Sequence, residues 1–134
     1  MFENGSYYEG SFKFDKKDGQ GKYVWADGSN YNGQWVGNNM SGFGRYVSST
    51  YTYEGTYNID KMWGNGIYTA NDGSYYQGQF LNGYLHGQGT CYSPGKNAGP
   101  CVFKDGKNVT EGKSFIGNFL GNIIKSAIIG EILN

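Results

Sequence analysis

Catalysis needs groups that move protons, attack carbon or phosphorus, or hold a metal, and this 134-residue chain has few of them. His86 is the only histidine. Any Ser/His/Asp or Cys/His relay would have to be built on it. It stands just before Gly87, in a stretch that reads as a turn, at a place occupied upstream by Asp18, Ser41 and Trp63. A turn residue fits that place better than a general base. Cys91 and Cys101 lack C-x-x-C spacing, and with one histidine they are too few ligands for a zinc site. Gly-x-Gly triplets such as Gly42-Phe43-Gly44 have the composition of phosphate loops, but none opens a helix after a strand. Glu9 and Glu54 hold matching positions roughly 20 Å apart by strand spacing, too far for a glycosidase pair. The residues therefore predict a chain that is no enzyme and holds neither cofactor nor metal.

What the sequence does contain is a period. Tyr8-Glu9-Gly10-Ser11-Phe12, Tyr31-Asn32-Gly33-Gln34-Trp35, Tyr53-Glu54-Gly55-Thr56-Tyr57 and Tyr76-Gln77-Gly78-Gln79-Phe80 begin 23, 22 and 23 residues apart. Each leads at one fixed interval to a Gly-x-Gly: Gly19 and Gly21, Gly42 and Gly44, Gly64 and Gly66, Gly87 and Gly89. Such regularity marks a repeat architecture. Within each first segment, aromatic and glycine positions alternate with polar ones, the period-two pattern of a half-buried antiparallel strand. Asn82-Gly83 is a strong hairpin signal. Asp15, Asn38 and Asp60 stand at the Gly83 position and tolerate positive φ. A second turn closes the unit at Asp27-Gly28, Asp72-Gly73 and Asp105-Gly106, with Asn4-Gly5 as the end of a truncated leading copy. Ser49-Thr50 predicts an irregular loop in the second repeat. The fixed glycines give each ring a place to lie, a ring from one strand covering a glycine of its neighbour. After Tyr92, the stretch 93–100 reads as an insertion that breaks the period, with Val109-Thr110-Glu111-Gly112 as a worn fifth copy.

Composition narrows the class. The chain has 24 Gly, 13 Tyr and only 2 Pro, and 18% of it is aromatic, which is ample material to bury and argues against disorder. Eleven basic residues balance eleven acidic ones, so no net field draws the chain to nucleic acid or to an anionic membrane. The start, Met1-Phe2-Glu3-Asn4-Gly5, has no secretory pattern. The expectation is a cytoplasmic protein with reduced thiols, Cys91 and Cys101 serving as small packing residues. A disulfide is the alternative, because the pair flanks the turn-like stretch Ser93 to Pro100.

From Ser114 the pattern changes to helical spacing. The pairs Phe115 and Ile116, Phe119 and Leu120, Ile123 and Ile124, and Ala127 and Ile128 recur every four residues. Residues 113–134 are read as an amphipathic helix capping a β-domain of residues 1–112. The other reading is that Phe115, Ile116, Phe119, Leu120, Ile123, Ile124 and Ile128 contact a membrane or a partner, although Lys125 and Glu131 oppose a true span. The fold class is thus all-β: an elongated single-layer antiparallel meander of repeated hairpins with a C-terminal α-helix as cap. A single layer cannot bury both faces by itself. The stripe Tyr8, Phe12, Tyr31, Trp35, Tyr53, Tyr57, Tyr76 and Phe80 becomes the expected groove for a partner's helix or peptide. The opposite face offers Val24, Phe43, Val47, Ile67 and Tyr92 for a homodimer contact or for the C-terminal helix.

Tyr-x-Gly-x-aromatic followed by Gly-x-Gly, four times in register, resembles the MORN repeat (membrane occupation and recognition nexus). That resemblance implies an elongated meander of β-hairpins acting as an adaptor or assembly module, often dimeric, near membranes or cytoskeleton. It also implies a partner helix or peptide along the groove, with phospholipid as a ligand proposed for the family. The neutral charge gives lipid binding little support, and no nucleic acid is expected.

Overall fold

The computed structural model describes residues 4–109. They form one open sheet of ten strands in chain order. The strands are β1 (Tyr7–Lys13), β2 (Lys16–Val24), β3 (Asn30–Val36), β4 (Asn39–Val47), β5 (Tyr51–Asn58), β6 (Lys61–Ala70), β7 (Tyr75–Leu81), β8 (Tyr84–Tyr92), β9 (Gly99–Lys104) and β10 (Lys107–Asn108). Each pairs antiparallel with the next. At ~4.8 Å per spacing the sheet is roughly 43 Å across. This is the expected all-β, single-layer meander. The expected capping helix lies outside the described residues, and so does the boundary at 112/113. The same holds for each apolar residue read on that helix: Phe115, Ile116, Phe119, Leu120, Ile123, Ile124 and Ile128.

The hairpin turns follow from local chemistry. Phe14-Asp15, Gly37-Asn38, Ile59-Asp60, Asn82-Gly83 and Asp105-Gly106 all have positive φ at both residues, from 47° at Ile59 to 86° at Gly83. Two-residue turns of this hand match the twist of the flanking strands. Asp15, Asn38 and Asp60 adopt the left-handed conformation read from the sequence. Phe14 and Ile59 do so as well, at about 1–2 kcal/mol each for a bulky side chain. On the opposite edge, Asn4, Asp27 and Asp72 each use Oδ1 to accept the backbone N–H two residues on, at Ser6, Ser29 and Ser74.

Glycine sets the register. Gly10, Gly21, Gly33, Gly44, Gly55, Gly66, Gly78 and Gly89 face one another strand by strand, and the row ends at Cys101. A Cβ added at Gly44 would run into the ring of Tyr31, and one at Gly66 into the ring of Tyr53. Rings do cover the glycines of the neighbouring strand. The first glycine of each Gly-x-Gly has a separate task. Between the Gly10–Gly21 and Phe12–Lys17 pairs, Asp18, Gly19 and Gln20 bulge opposite the single residue Ser11. Gly19, Gly42, Gly64 and Gly87 take the positive φ that this bulge requires.

Four expectations change. First, the stretch after Tyr92 is no insertion. Cys91 pairs with Gly99 across the same interval that separates Tyr23 from Tyr31 and Tyr68 from Tyr76. The fifth repeat therefore begins in phase at Gly99, not at Val109. Its Asp105-Gly106 is the hairpin turn between β9 and β10 rather than a closing turn. Second, Cys91 and Cys101 form a disulfide, Cα atoms 5.9 Å apart; facing strands bring them together, as sequence spacing alone could not show. Third, Ser48–Thr50 is a compact turn. The Ser48 hydroxyl accepts from the N–H groups of Thr50 and Tyr51, and the Ser48 N–H donates to the Tyr51 carbonyl. Fourth, His86 lies within β8 rather than in a turn.

Candidate interaction surfaces

The aromatic stripe forms a continuous edge-to-face ladder. Tyr31 meets Trp35 of its own strand at 5.2 Å and Tyr57 of the next repeat at 5.1 Å, both near perpendicular. Tyr53 repeats this with Tyr57 and Phe80, and Tyr76 with Phe80 and Phe103. Tyr8 begins the series against Phe12 and Trp35. This geometry puts the positive ring edge on the negative ring face and contributes roughly 0.5–1.5 kcal/mol per pair beyond burial. Each tyrosine is also tied down at its tip. The hydroxyls of Tyr8, Tyr31, Tyr53 and Tyr76 donate to the carbonyls of Ser11, Gln34, Thr56 and Gln79, the residues opposite the bulges.

A second row lies nearer the closing turns and includes Tyr23, Tyr46 and Tyr68 from the second strand of each hairpin. Trp25 bridges Tyr23 and Tyr46, and Tyr51 stacks on both Tyr46 and Tyr68. The serine hydroxyls of the closing turns face this row: Ser6 bonds Tyr23 at 3.0 Å, and Ser29 holds the same position relative to Tyr46. The pairing fails twice, and each failure leaves a buried polar atom without a hydrogen bond. Tyr68 has Tyr51 where a serine would stand, and Ser74 has Cys91 where a tyrosine would stand.

The stripe is therefore mostly the sheet's own core. Tyr31, Trp35, Tyr53, Tyr57, Tyr76 and Phe80 are all buried, three of them completely. Only the first repeat leaves ladder surface open, with Tyr8 half-buried and Phe12 61% exposed. Burial pushes the phenols of Tyr31, Tyr53, Tyr57 and Tyr68 far above their ordinary range and that of Tyr76 up to about 12. These groups stay protonated and are unsuited to proton transfer near neutral pH. In the first repeat, Lys17 stands where later repeats put Met40, Met62 and Leu85. Its ammonium lies 5.4 Å from the centres of Tyr23 and Trp35 and 5.9 Å from that of Tyr8.

The other face is open. Phe43 and Ile67 are exposed there, whereas Val24, Val47 and Tyr92 are half-buried. A shallow groove of about 410 Å³ runs between Phe43 and Ile67, walled also by Glu54, Asn65 and Gln77 and floored by glycines. The side chains that the glycine row lacks would point to the opposite, ladder face, so the floor here is the backbone between the outward residues of β4 to β7. Glu54 is 4.0 Å from Arg45 in an exposed pair, which leaves its carboxylate within reach of a ligand. Alternation placed Phe43 and Ile67 on this face; the groove needed the glycine register, which motif reading alone does not supply.

The residues first considered for chemistry are scattered. His86 Nδ1 faces the Asp105 carboxylate at 3.8 Å and accepts from the Asp105 N–H at 3.5 Å, a link between hairpins. Glu9 and Glu54 lie on β1 and β5, and both cysteines are in the disulfide. Among the described residues, no group of three or more His, Cys, Asp or Glu is placed to hold a metal ion.

A search of curated proteins returns no match. The family model for the MORN repeat matches four consecutive segments, residues 8–30, 31–52, 53–75 and 76–97, whose starts are the four ladder tyrosines. Four adjoining copies cover most of the chain, and the protein belongs to the MORN repeat family.

Proposed function

We propose that this protein is a non-catalytic scaffold that binds an extended segment of a protein partner on the outer face. The observation that carries this reading is the groove between Phe43 and Ile67. An apolar anchor from the partner sits between these side chains, over the glycine floor. The carboxamides of Asn65 and Gln77 meet the partner's backbone, and Glu54 favours a basic residue beside the anchor. The buried ladder supplies the rigidity that lowers the entropic loss of binding. Its open end at Tyr8 and Phe12 is the remaining place where the stripe itself meets a partner.

Peptides selected from a random display library against the full chain test this reading. Amide shift changes should cluster at Phe43, Glu54, Ile67 and Gln77. Phe43→Ala with Ile67→Ala should weaken binding by tenfold or more, the scale of an interface hot spot. Shift changes confined to the turns, or affinity unchanged in the double variant, would refute the assignment.

A further inference from the structure

The two long edges of the sheet differ. The edge made by the closing turns is polar, with Asp27, Gly28, Ser49, Thr50, Asp72 and Gly73 exposed. The edge made by the hairpin tips is not. Phe14 is 87% exposed, Ile59 63% and Val36, beside the intervening tip, 58%. Phe14 and Ile59 hold the left-handed position that Gly37, Asn82 and Asp105 fill elsewhere, at φ 52° and 47°. Asparagine or glycine would sit there without strain. Neither side chain gains burial in return. Bulky residues held in a disfavoured backbone state, mostly in water, mark a site kept for something other than the fold.

We propose that this row of tips is a docking edge for an amphipathic helix of a partner protein, separate from the outer groove. Tips of successive repeats are two strand spacings apart, roughly 9.6 Å. Seven residues of α-helix rise about 10.5 Å. A helix laid across the strands therefore meets Phe14, Val36 and Ile59 with apolar residues one heptad apart. Lys13, Lys16 and Lys61 are exposed beside these tips, and Lys13 lies over the Phe14 ring at 5.8 Å. The matching helix carries acidic residues on its flanks. A bilayer fits the edge less well. Asp15 follows Phe14 at the first tip and is exposed, so insertion would carry its carboxylate toward lipid, whereas a protein partner can pair it.

The test uses the full chain and its Phe14→Asn/Ile59→Asn variant, asparagine being what the fourth hairpin has at Asn82. The probes are helix-stapled 18-residue peptides with Leu, Phe or Trp at heptad spacing and Glu on both flanks, read by fluorescence anisotropy. The natural chain should bind at least one peptide, and the variant tenfold or more weakly, while its melting temperature rises by roughly 7–14 °C as strain is relieved. Phe43→Ala/Ile67→Ala should leave peptide affinity unchanged, which separates this edge from the outer groove. A lower melting temperature in the asparagine variant, no binding of any peptide, or equal binding by both chains would overturn the proposal. So would binding to phosphatidylserine–phosphatidylcholine vesicles that disappears in the variant, which would assign the tips to a membrane.

Discussion

The ladder begins and ends differently. At the β1 end the repeat pattern is complete, but Tyr8 is half-buried, Phe12 is exposed and a lysine occupies the slot that later repeats fill with Met or Leu. At the β9 end the pattern is exchanged: Gly99 stands at the tyrosine position and Cys101 at the glycine position. No fifth tyrosine ring is available there. Instead, Cys91, which pairs with Gly99, is joined by a disulfide to Cys101 two residues further along β9, and both cysteines are buried. A repeat interior needs only a neighbour on each side, whereas a repeat end must replace one. Among the described residues, the β9 end carries a covalent link between its strands, whereas the β1 end leaves ladder surface exposed around a cation.

The sharpest way to break this comparison is one substitution made at both places. Gly44→Ala drives a methyl group into the ring of Tyr31, which is completely buried and held by Gln34. It should destabilise the chain by about 3 kcal/mol. Gly21→Ala meets the ring of Tyr8 in the same way, but Tyr8 borders solvent and can turn aside. The loss there should be under about 1 kcal/mol. Urea melts of the two variants decide it, and equal losses would mean that the β1 end is as rigid as the middle.

The closed end gives the next effect. Cys91→Ser with Cys101→Ser removes a link across a sequence separation of 10 and should lower stability by about 2–3 kcal/mol. Hydrogen exchange should accelerate most in β9 and β10. If the disulfide stands in for the missing ring, then Cys91→Tyr, Gly99→Tyr and Cys101→Gly together should recover much of the loss. They restore the tyrosine, its glycine and a phenol for Ser74, whose hydroxyl is buried without a hydrogen bond. A triple variant no more stable than the serine pair would show that the ends are not interchangeable.

These two ends also mark what the sequence could and could not say. The strand order, the hairpins and the left-handed Asp15, Asn38 and Asp60 follow from period and turn chemistry, which are local. The fifth repeat was hidden because Gly99 and Cys101 exchange roles, so the motif is absent although its phase is intact. The disulfide is legible only after β8 and β9 are in register, since sequence spacing does not reveal which strands face each other. Alternation told which face the rings take. It could not tell that edge-to-face packing would close over Trp35, Tyr57 and Phe80 and leave Phe12 outside. The outer groove depends on the same register, because its floor is glycine from three different strands.

Lys17 sharpens the open end by its dependence on pH. Burial lowers its pKa from the usual lysine range, an effect that exceeds the opposing attraction of Asp60. Between the lowered value and about 10.4 the unfolded chain holds the proton more tightly, so the lysine contributes stability that rises with pH. The buried tyrosines act in the opposite sense: their folded pKa values are raised, so their contribution is complete below about pH 10 and is lost above it. Lys17→Met leaves the tyrosines alone and gives the first repeat the residue found at Met40 and Met62. The gain should be about 1 kcal/mol at pH 7, less than either effect above. Because the tyrosine contribution cancels between the two chains, that gain should shrink as pH rises toward and past ~10.5, above which Lys17 is uncharged in both states. A loss at neutral pH would instead make the three rings around the ammonium a net stabilising cation site, and the β1 end would be closed by charge as the β9 end is by its disulfide.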